Sequence, residues 1–165
     1  MRTGFWLLAF GVLALDQVTK QGVLRWLPEH HPPVPVLPGI LYFTHIRNSG
    51  TAFGLLPDGG AGLTVMAVAA ILCIVAYWRA VQRRRRPVHP LLATGLALPL
   101  GGAVGNLVDR IFLGQVVDFI DLRFWPVFNV ADTAITVGAV LVGSYFFFIH
   151  DRVPAHEKRY APGDG

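Results

Sequence analysis

Four long apolar runs, separated by polar or basic stretches, dominate the chain. A helix that crosses the hydrocarbon core of a bilayer needs about 20 predominantly apolar residues, and each run is close to this length. Backbone polar groups in lipid must find partners within their own segment, so helices are the expected conformation. The pattern predicts membrane-spanning helices over residues 4–24, 62–81, 90–108 and 130–149.

The composition agrees with a membrane protein. Of the 165 residues, 53% are hydrophobic and 15% are charged, whereas a typical soluble domain has about 25% charged residues. The length fits one domain. We therefore predict a single all-α integral membrane domain over residues 1–165, with four transmembrane helices and a small β-element outside the bilayer.

The basic residues predict the orientation of the helices. Arg79 and residues 83–86 load the short connection between the second and third runs, and such connections are cytoplasmic. Residues 82–89, both termini and the tail 150–165 are then cytoplasmic, while residues 25–61 and 109–129 face the periplasm of a bacterium. Basic residues beside anionic lipid account for the net charge of +4, so we expect no nucleic-acid partner.

The first outer connection contains the predicted β-element. Its first half is rich in proline and extended. Its second half, "ILYFTHIRN", has residues typical of strands and is followed by the turn signal "NSG". A small sheet on the membrane surface fits this pattern.

Carboxylates are crowded at the start of the fourth run, although each charge at the bilayer centre costs about 2.5–3.5 kcal/mol. Taken singly, each has a structural interpretation. Asp132 suits a helix N-terminus, Asp109 suits an ion pair with the adjacent Arg110, and Asp118 and Asp121 suit a solvated loop. Spacing alone does not choose between Asp118 and Asp121.

Asp16 and Lys20 form a second polar group, late in the first run. They are four positions apart and therefore share one helical face. Near the outer surface the lysine can extend its ammonium to water. The pair predicts a structural role.

Two acids held together at the membrane boundary predict a chemical role instead. Both cannot ionise cheaply, so one keeps a proton while the other acts as a base. Aspartic proteases use such a pair of carboxylates, one protonated and one acting as the base. Ser49 and Ser144 lack a His or Lys partner in a recognisable spacing. Cys73 is a lone thiol within the second run, so we expect no disulfide, no metal and no cofactor.

The chain resembles the lipoprotein signal peptidases, or type II signal peptidases, of bacteria. The resemblance rests on five blocks in the family's order: "DQVTK" at 16–20, "RNSGTAFG" at 47–54, "GGAVGNLVDRI" at 101–111, "VVDFIDL" at 116–122 and "FNVADTAITVG" at 128–138. Laid over the four predicted spans, these blocks extend along nearly all of the chain between its two tails.

This resemblance implies an aspartyl membrane protease with a small periplasmic sheet, located in the bacterial cytoplasmic (inner) membrane with its active site at the periplasmic face. It would act, as a monomer, on prolipoproteins that carry a diacylglyceryl group, cleaving before the lipidated cysteine, and would be inhibited by globomycin-type peptides. The implied catalytic residues are Asp118 and Asp132. The residues expected near the substrate are Asn48, Asn106, Arg110 and Asn129, and the structural supports are Asp16, Lys20, Gly54 and Asp109.

Two groups of glycines have open roles. Those of the third run allow either close helix contact or a groove for an acyl chain; they are Gly95, Gly101, Gly102 and Gly105. The segment from Asn48 to Gly54 is glycine-rich enough to act as a lid over the substrate.

Two other functions compete with the peptidase. A small proton-coupled transporter would distribute acids through the bilayer depth and interrupt a pair of helices. A structural membrane scaffold would use the acids as caps and ion pairs, and would tolerate Asp118→Asn and Asp132→Asn. The clustering of the acids at one face favours the peptidase.

Overall fold

The computed structural model describes residues 2–50, 59–84 and 87–149. Its helices are α1 (Arg2–Trp26), α2 (Gly59–Arg83), α3 (Pro90–Leu113) and α4 (Val130–Phe148), and its strands are β1 (Val34–Leu37), β2 (Leu41–Asn48) and β3 (Val116–Asp121). All four helices are long and apolar enough to cross a membrane, and the strands form one antiparallel sheet. The predicted fold class is confirmed. Gly54 and most of the proposed lid lie outside the described residues.

Helix α3 is longer than the predicted span. It continues five residues past Val108 to Leu113, and Gly114 ends it with a φ of 73°, where its backbone N–H bonds the carbonyl of Arg110. Glycine adopts this left-handed conformation without the steric cost that a side chain would add. Asp109 and Arg110 therefore lie on a rigid helix rather than in a connection.

The glycines of α3 are used for helix packing. A methyl group added at Gly95 or Gly102 would collide with α4, and one added at Gly101 or Gly105 would collide with α1. Small residues let helix backbones approach closely in lipid, where dispersion contacts replace the hydrophobic effect. Of the two roles that the sequence left open for these four glycines, the structure shows close packing.

The half of the bundle away from the sheet is apolar. Phe5 of α1 stacks on Trp78 of α2 with ring centroids 3.9 Å apart. Both rings belong to a buried cluster that includes Leu92, Leu96 and Leu100 of α3. This core joins the first three helices.

The sheet places β3 between β2 and the start of α4. Tyr42 pairs with Asp121 and Asn48 with Val116, and an irregularity in the register falls between Phe43 and Ile46. Phe128 bridges to Ile120 on the other edge of β3, which carries the chain directly into α4. The sheet thus places Asp118 of β3 beside the N-terminus of the fourth helix.

Candidate active site

Asp118 is buried on β3, with 3% of its surface exposed. One carboxylate oxygen accepts a hydrogen bond from the amide of Asn129 at 2.7 Å and the other accepts from the amide of Asn48 at 2.8 Å. Asp118 pairs with Ile46 across the strands, so Asn48 is its diagonal neighbour on the same face. The interpretation of Asp118 as a solvated loop acid is therefore wrong.

Asp132 lies in the first turn of α4 and forms a capping box with Asn129. The Asn129 side chain accepts from the Asp132 backbone N–H at 2.9 Å, and the Asp132 carboxylate accepts from the Asn129 backbone N–H at 3.3 Å. Its other oxygen accepts from the amide of Asn106 at 2.8 Å. The capping role predicted for Asp132 is present, and the helix N-terminus favours a negative charge on this carboxylate.

Asn129 connects the two acids. It is fully buried and its amide nitrogen lies 2.7 Å from Asp118, 3.2 Å from the side-chain oxygen of Asn106 and 3.3 Å from the carbonyl of Val117. An amide nitrogen has two hydrogens, so the short contact with Asp118 is the best satisfied of the three. One residue thus holds a carboxylate from β3 and a carboxylate from α4.

Lys20 lies beneath the pair, and 1% of its surface is exposed. Its ammonium contacts Asp16 at 2.8 Å, Asp109 at 2.9 Å and the side-chain oxygen of Asn106 at 2.8 Å. These three acceptors match the three hydrogens of an ammonium group. The expectation that Lys20 extends to water is wrong, because α3 supplies Asp109 and Asn106 as partners within the bundle.

The two carboxylates bound to Lys20 also hold backbone groups of neighbouring elements. Asp16 accepts from the backbone N–H of Ala131 at 2.9 Å, and Asp109 accepts from the backbone N–H of Val117 at 3.1 Å. The ion pair of Asp109 is therefore with Lys20. Through these bonds α1 fixes the start of α4 and α3 fixes β3.

Gln17 belongs to the same network and was not singled out from the sequence. Its amide donates to Asp109 at 3.0 Å, to Asp16 at 3.2 Å and to the carbonyl of Gly105 at 3.2 Å. Gly105 gives room for this arrangement, since a Cβ there would lie 2.5 Å from the Asp16 carboxylate. The signal in the sequence was weak: a single polar residue beside Asp16, with no periodicity of its own.

Asp121 lies outside this network. Its carboxylate accepts from the Thr44 hydroxyl at 3.0 Å, and from the backbone N–H and guanidinium of Arg123 at 2.8 and 3.2 Å. The guanidinium carbon also lies 4.7 Å from the ring centroid of Tyr42. Residues three apart on a strand point to opposite faces. The structure thus separates the two acids that spacing could not distinguish.

The two acids of β3 have opposite pKa shifts. Burial, reinforced by the negative charge of Asp132, raises the pKa of Asp118 to about 6 against the opposing hydrogen bonds from Asn48 and Asn129. For Asp121 burial also acts upward, yet the bonds from Arg123 and Thr44 outweigh it and hold the pKa below its ordinary value. Asp118 is therefore the acid whose surroundings favour a proton.

The remaining predicted site residues lie around the pair. Arg110 is half-buried and donates to the backbone carbonyl of Asn106 at 3.3 Å. The amides of Asn48, Asn106 and Asn129 are directed at the two aspartates. Contact of these four residues with substrate stays a prediction. Among the described residues there is no group of three or more His, Cys, Asp or Glu side chains suited to a metal ion.

A cavity of about 280 Å³ opens beside Asp132. Thr133, Thr136 and Val137 extend it along the first two turns of α4, and Phe124 and Trp125 of the loop after β3 form another wall. The cavity brings apolar and hydroxyl surface to the carboxylate. An extended chain with an apolar attachment suits such a lining.

Comparisons with known proteins identify relatives over most of the chain. Residues 8–148 match the family model for signal peptidase (SPase) II. The chain is 47% identical over 151 residues to a lipoprotein signal peptidase of Pelotomaculum thermopropionicum, covering 90% of this chain and 94% of the relative. It is 45% identical over 141 residues to one of Moorella thermoacetica, covering 84% and 89%.

Solved structures share the fold. A bacterial membrane enzyme determined by the in meso method at 2.3 Å resolution aligns with a TM-score of 0.78 and 28% identity, over 94% of this chain and 93% of that one. A second, at 1.9 Å resolution, aligns with a TM-score of 0.77 and 26% identity, over 89% and 94%. The matched region contains both aspartates and the whole network beneath them, and on this evidence the chain belongs to the signal peptidase II family of bacterial membrane proteases.

Proposed function

We propose that this protein removes the signal peptide from diacylglyceryl-modified prolipoproteins, cleaving before the lipidated cysteine, with Asp118 and Asp132 as an aspartate dyad that activates water. Family membership supports the coarser activity, removal of signal peptides from lipoproteins. The observation that carries the finer proposal is the convergence of two carboxylates, from β3 and α4, on the single buried residue Asn129.

The surroundings of the two acids support different roles. Asp132 has the capping box and the helix N-terminus, which stabilise its anion. Asp118 is buried and its pKa is raised to about 6. In the proposed resting state one proton is shared by the pair, with Asp118 as the favoured side, although the pair titrates as a unit.

Hydrolysis then needs two proton transfers. Asp132 takes a proton from the attacking water while the water oxygen bonds to the scissile carbonyl carbon. Protonated Asp118 donates a hydrogen bond to the carbonyl oxygen. When the C–N bond breaks, the amine of the cysteine leaves with a proton from the dyad. Positioned proton transfer of this kind contributes about 10²–10⁴-fold in rate. The hydrogen bonds of Asn48, Asn106 and Asn129 hold the carboxylates in place during these transfers.

The position of the network supports a reaction at one face of the membrane. Asp16, Asp109, Asp118 and Asp132 form one connected group at the end of α1, α3 and α4 that adjoins the sheet. We infer that this end is periplasmic, that both termini are cytoplasmic and that the membrane is the inner one. The cavity along α4 supports entry of a lipid-anchored substrate from the bilayer. A globomycin-type peptide would compete at the dyad, and since one chain supplies every member of the network, we infer action as a monomer.

A gel-shift assay tests the proposal. Purified protein is incubated with a diacylglyceryl-modified prolipoprotein, and cleavage is compared among wild type, Asp118→Asn, Asp132→Asn and the control Asp121→Asn. We expect loss of cleavage in the first two variants and near wild-type cleavage in the control, with thermal unfolding showing that all are folded. Cleavage by folded Asp118→Asn or Asp132→Asn at the wild-type rate would refute the dyad.

A further inference from the structure

Two adjoining cavities lie at the sheet end of α1, and neither Asp118 nor Asp132 lines them. The first has a volume of about 400 Å³. Residues of α1 and of the sheet form its walls, among them Gly22, Val23, Trp26, Leu27, Phe43 and Phe119. Thr19 also lines it, but its single hydroxyl hydrogen is shared between the carbonyls of Leu15 and Asp16, each 2.8 Å from the hydroxyl oxygen. The interior of this cavity is therefore apolar.

The second cavity is more polar than the first and shares Gly22 and Trp26 with it. Its volume is about 470 Å³, and Gln17, Gln21 and Arg25 contribute to its lining. No carboxylate of the described part of the chain pairs with Arg25, since Glu29 binds Arg47 and Asp121 binds Arg123. A cation thus stands next to an apolar chamber, which matches a ligand with an anionic head and a hydrocarbon tail.

The level of these cavities matches the edge of a bilayer. Helix α1 has 25 residues, about 37 Å at 1.5 Å per residue, whereas the hydrocarbon core is about 30 Å thick. Its last turn, with Arg25, therefore extends into the headgroup layer. Trp26, which lines the apolar cavity, exposes 86% of its surface, and Val18, which lines the second cavity, exposes 69%. The apolar cavity is thus continuous with a lipid-facing surface.

We propose that this pair of cavities binds one anionic phospholipid of the surrounding bilayer. An acyl chain occupies the apolar cavity over Gly22, and Arg25, assisted by the amide of Gln21, binds the phosphate. Guanidinium groups bind phosphate through paired, charge-assisted hydrogen bonds. Because Phe43 and Phe119 belong to β2 and β3, the lipid joins the end of α1 to the sheet that carries Asp118. This inference goes beyond the proposed function and does not depend on it.

The test measures lipid retention by native mass spectrometry of the purified full-length protein. Wild type and variants are incubated with phosphatidylglycerol or with phosphatidylcholine of the same acyl chains. Gly22→Phe fills the apolar cavity, Arg25→Gln removes the charge, and Gly11→Phe is the matched control, because an added Cβ at Gly22 or Gly11 meets no atom within 4 Å. Thermal unfolding checks that each variant is folded.

We expect wild type and Gly11→Phe to retain phosphatidylglycerol in preference to phosphatidylcholine, and Gly22→Phe and Arg25→Gln each to lose it by about tenfold. Arg25→Lys should retain most of the binding. Undiminished retention by folded Gly22→Phe, or equal retention of the neutral lipid by wild type, overturns the proposal. Release of the bound lipid by added diacylated prolipoprotein would assign the cavities to substrate instead and overturn it as well.

Discussion

The two faces of β3 hold the same residue type in opposite environments. Asp118 faces the bundle, accepts hydrogen bonds from two amides and has a raised pKa. Asp121 faces the other way, binds Arg123 and Thr44 and has a lowered pKa. Burial acts upward on the pKa of both acids, so the difference comes from their hydrogen-bond donors: neutral amides leave the pKa of Asp118 raised, whereas the bonds from Arg123 and Thr44 lower that of Asp121.

The largest expected effect is on catalytic activity, which should depend strongly on Asp118 and little on Asp121. Asp118→Asn should reduce kcat/KM for a diacylated prolipoprotein by about 10³-fold or more, because the proposed proton transfer is lost. Asp121→Asn keeps an oxygen for Thr44 and should change kcat/KM by less than about threefold, since the Arg123 partner it loses is half-exposed and such a pair contributes little. Initial rates of cleavage by purified protein measure both. Equal losses of kcat/KM in the two variants would show that the two faces of β3 do not differ in function.

Stability provides the second comparison. Lys20→Met leaves the buried carboxylates of Asp16 and Asp109 without their cation and should destabilise the fold by about 3–5 kcal/mol. Arg123 is 51% exposed at its side chain, so Arg123→Met should cost no more than about 1 kcal/mol. Thermal unfolding in one detergent measures the difference. A Lys20→Met protein as stable as Arg123→Met would mean that the buried network does not hold the helices together.

The smallest effect concerns pH. A carboxyl whose pKa is raised to about 6 keeps its proton below that pH and loses it above, so kcat/KM should fall as pH rises through about 6. The Asn48 amide stabilises the charged form of Asp118, and Asn48→Ala should therefore shift this decline to higher pH. Thr44→Ala, on the opposite face, should leave it in place. If the decline stays at the same pH in Asn48→Ala, the titration of Asp118 is not its cause.

Much of the fold could be predicted from hydropathy alone. Each apolar run is long enough to cross a bilayer, and each corresponds to one of the four helices. The β-branched and aromatic residues of "ILYFTHIRN" predicted β2. The strand β1 was harder to predict, since its four residues include a proline and gain their structure by pairing with β2. Helix α3 extends beyond the predicted span because the charges of Asp109 and Arg110 interrupt the apolar pattern while the helix continues.

The site was less accessible to local reasoning. The i, i+4 spacing of Asp16 and Lys20 correctly placed them in contact. The spacing could not indicate that Lys20 is buried, because its other two partners, Asp109 and Asn106, come from a helix about ninety residues further along the chain. Strand periodicity implies that Asp118 and Asp121 point to opposite faces, but which face meets α4 depends on the pairing of β3 with β2 and Phe128. Tertiary arrangement supplied that information.

The buried lysine also bears on how the protein is assembled during synthesis. Asp16 and Lys20 are 2.8 Å apart within a single helix, so we expect α1 to enter the lipid phase with these two charges paired, before α3 is synthesised. A lone charge of either sign would raise the free energy of that insertion by about 2.5–3.5 kcal/mol at the bilayer centre. The ammonium retains unused hydrogens, which Asp109 and Asn106 saturate when α3 arrives. The same lysine therefore neutralises an acid within α1 and joins α1 to α3 in the folded protein.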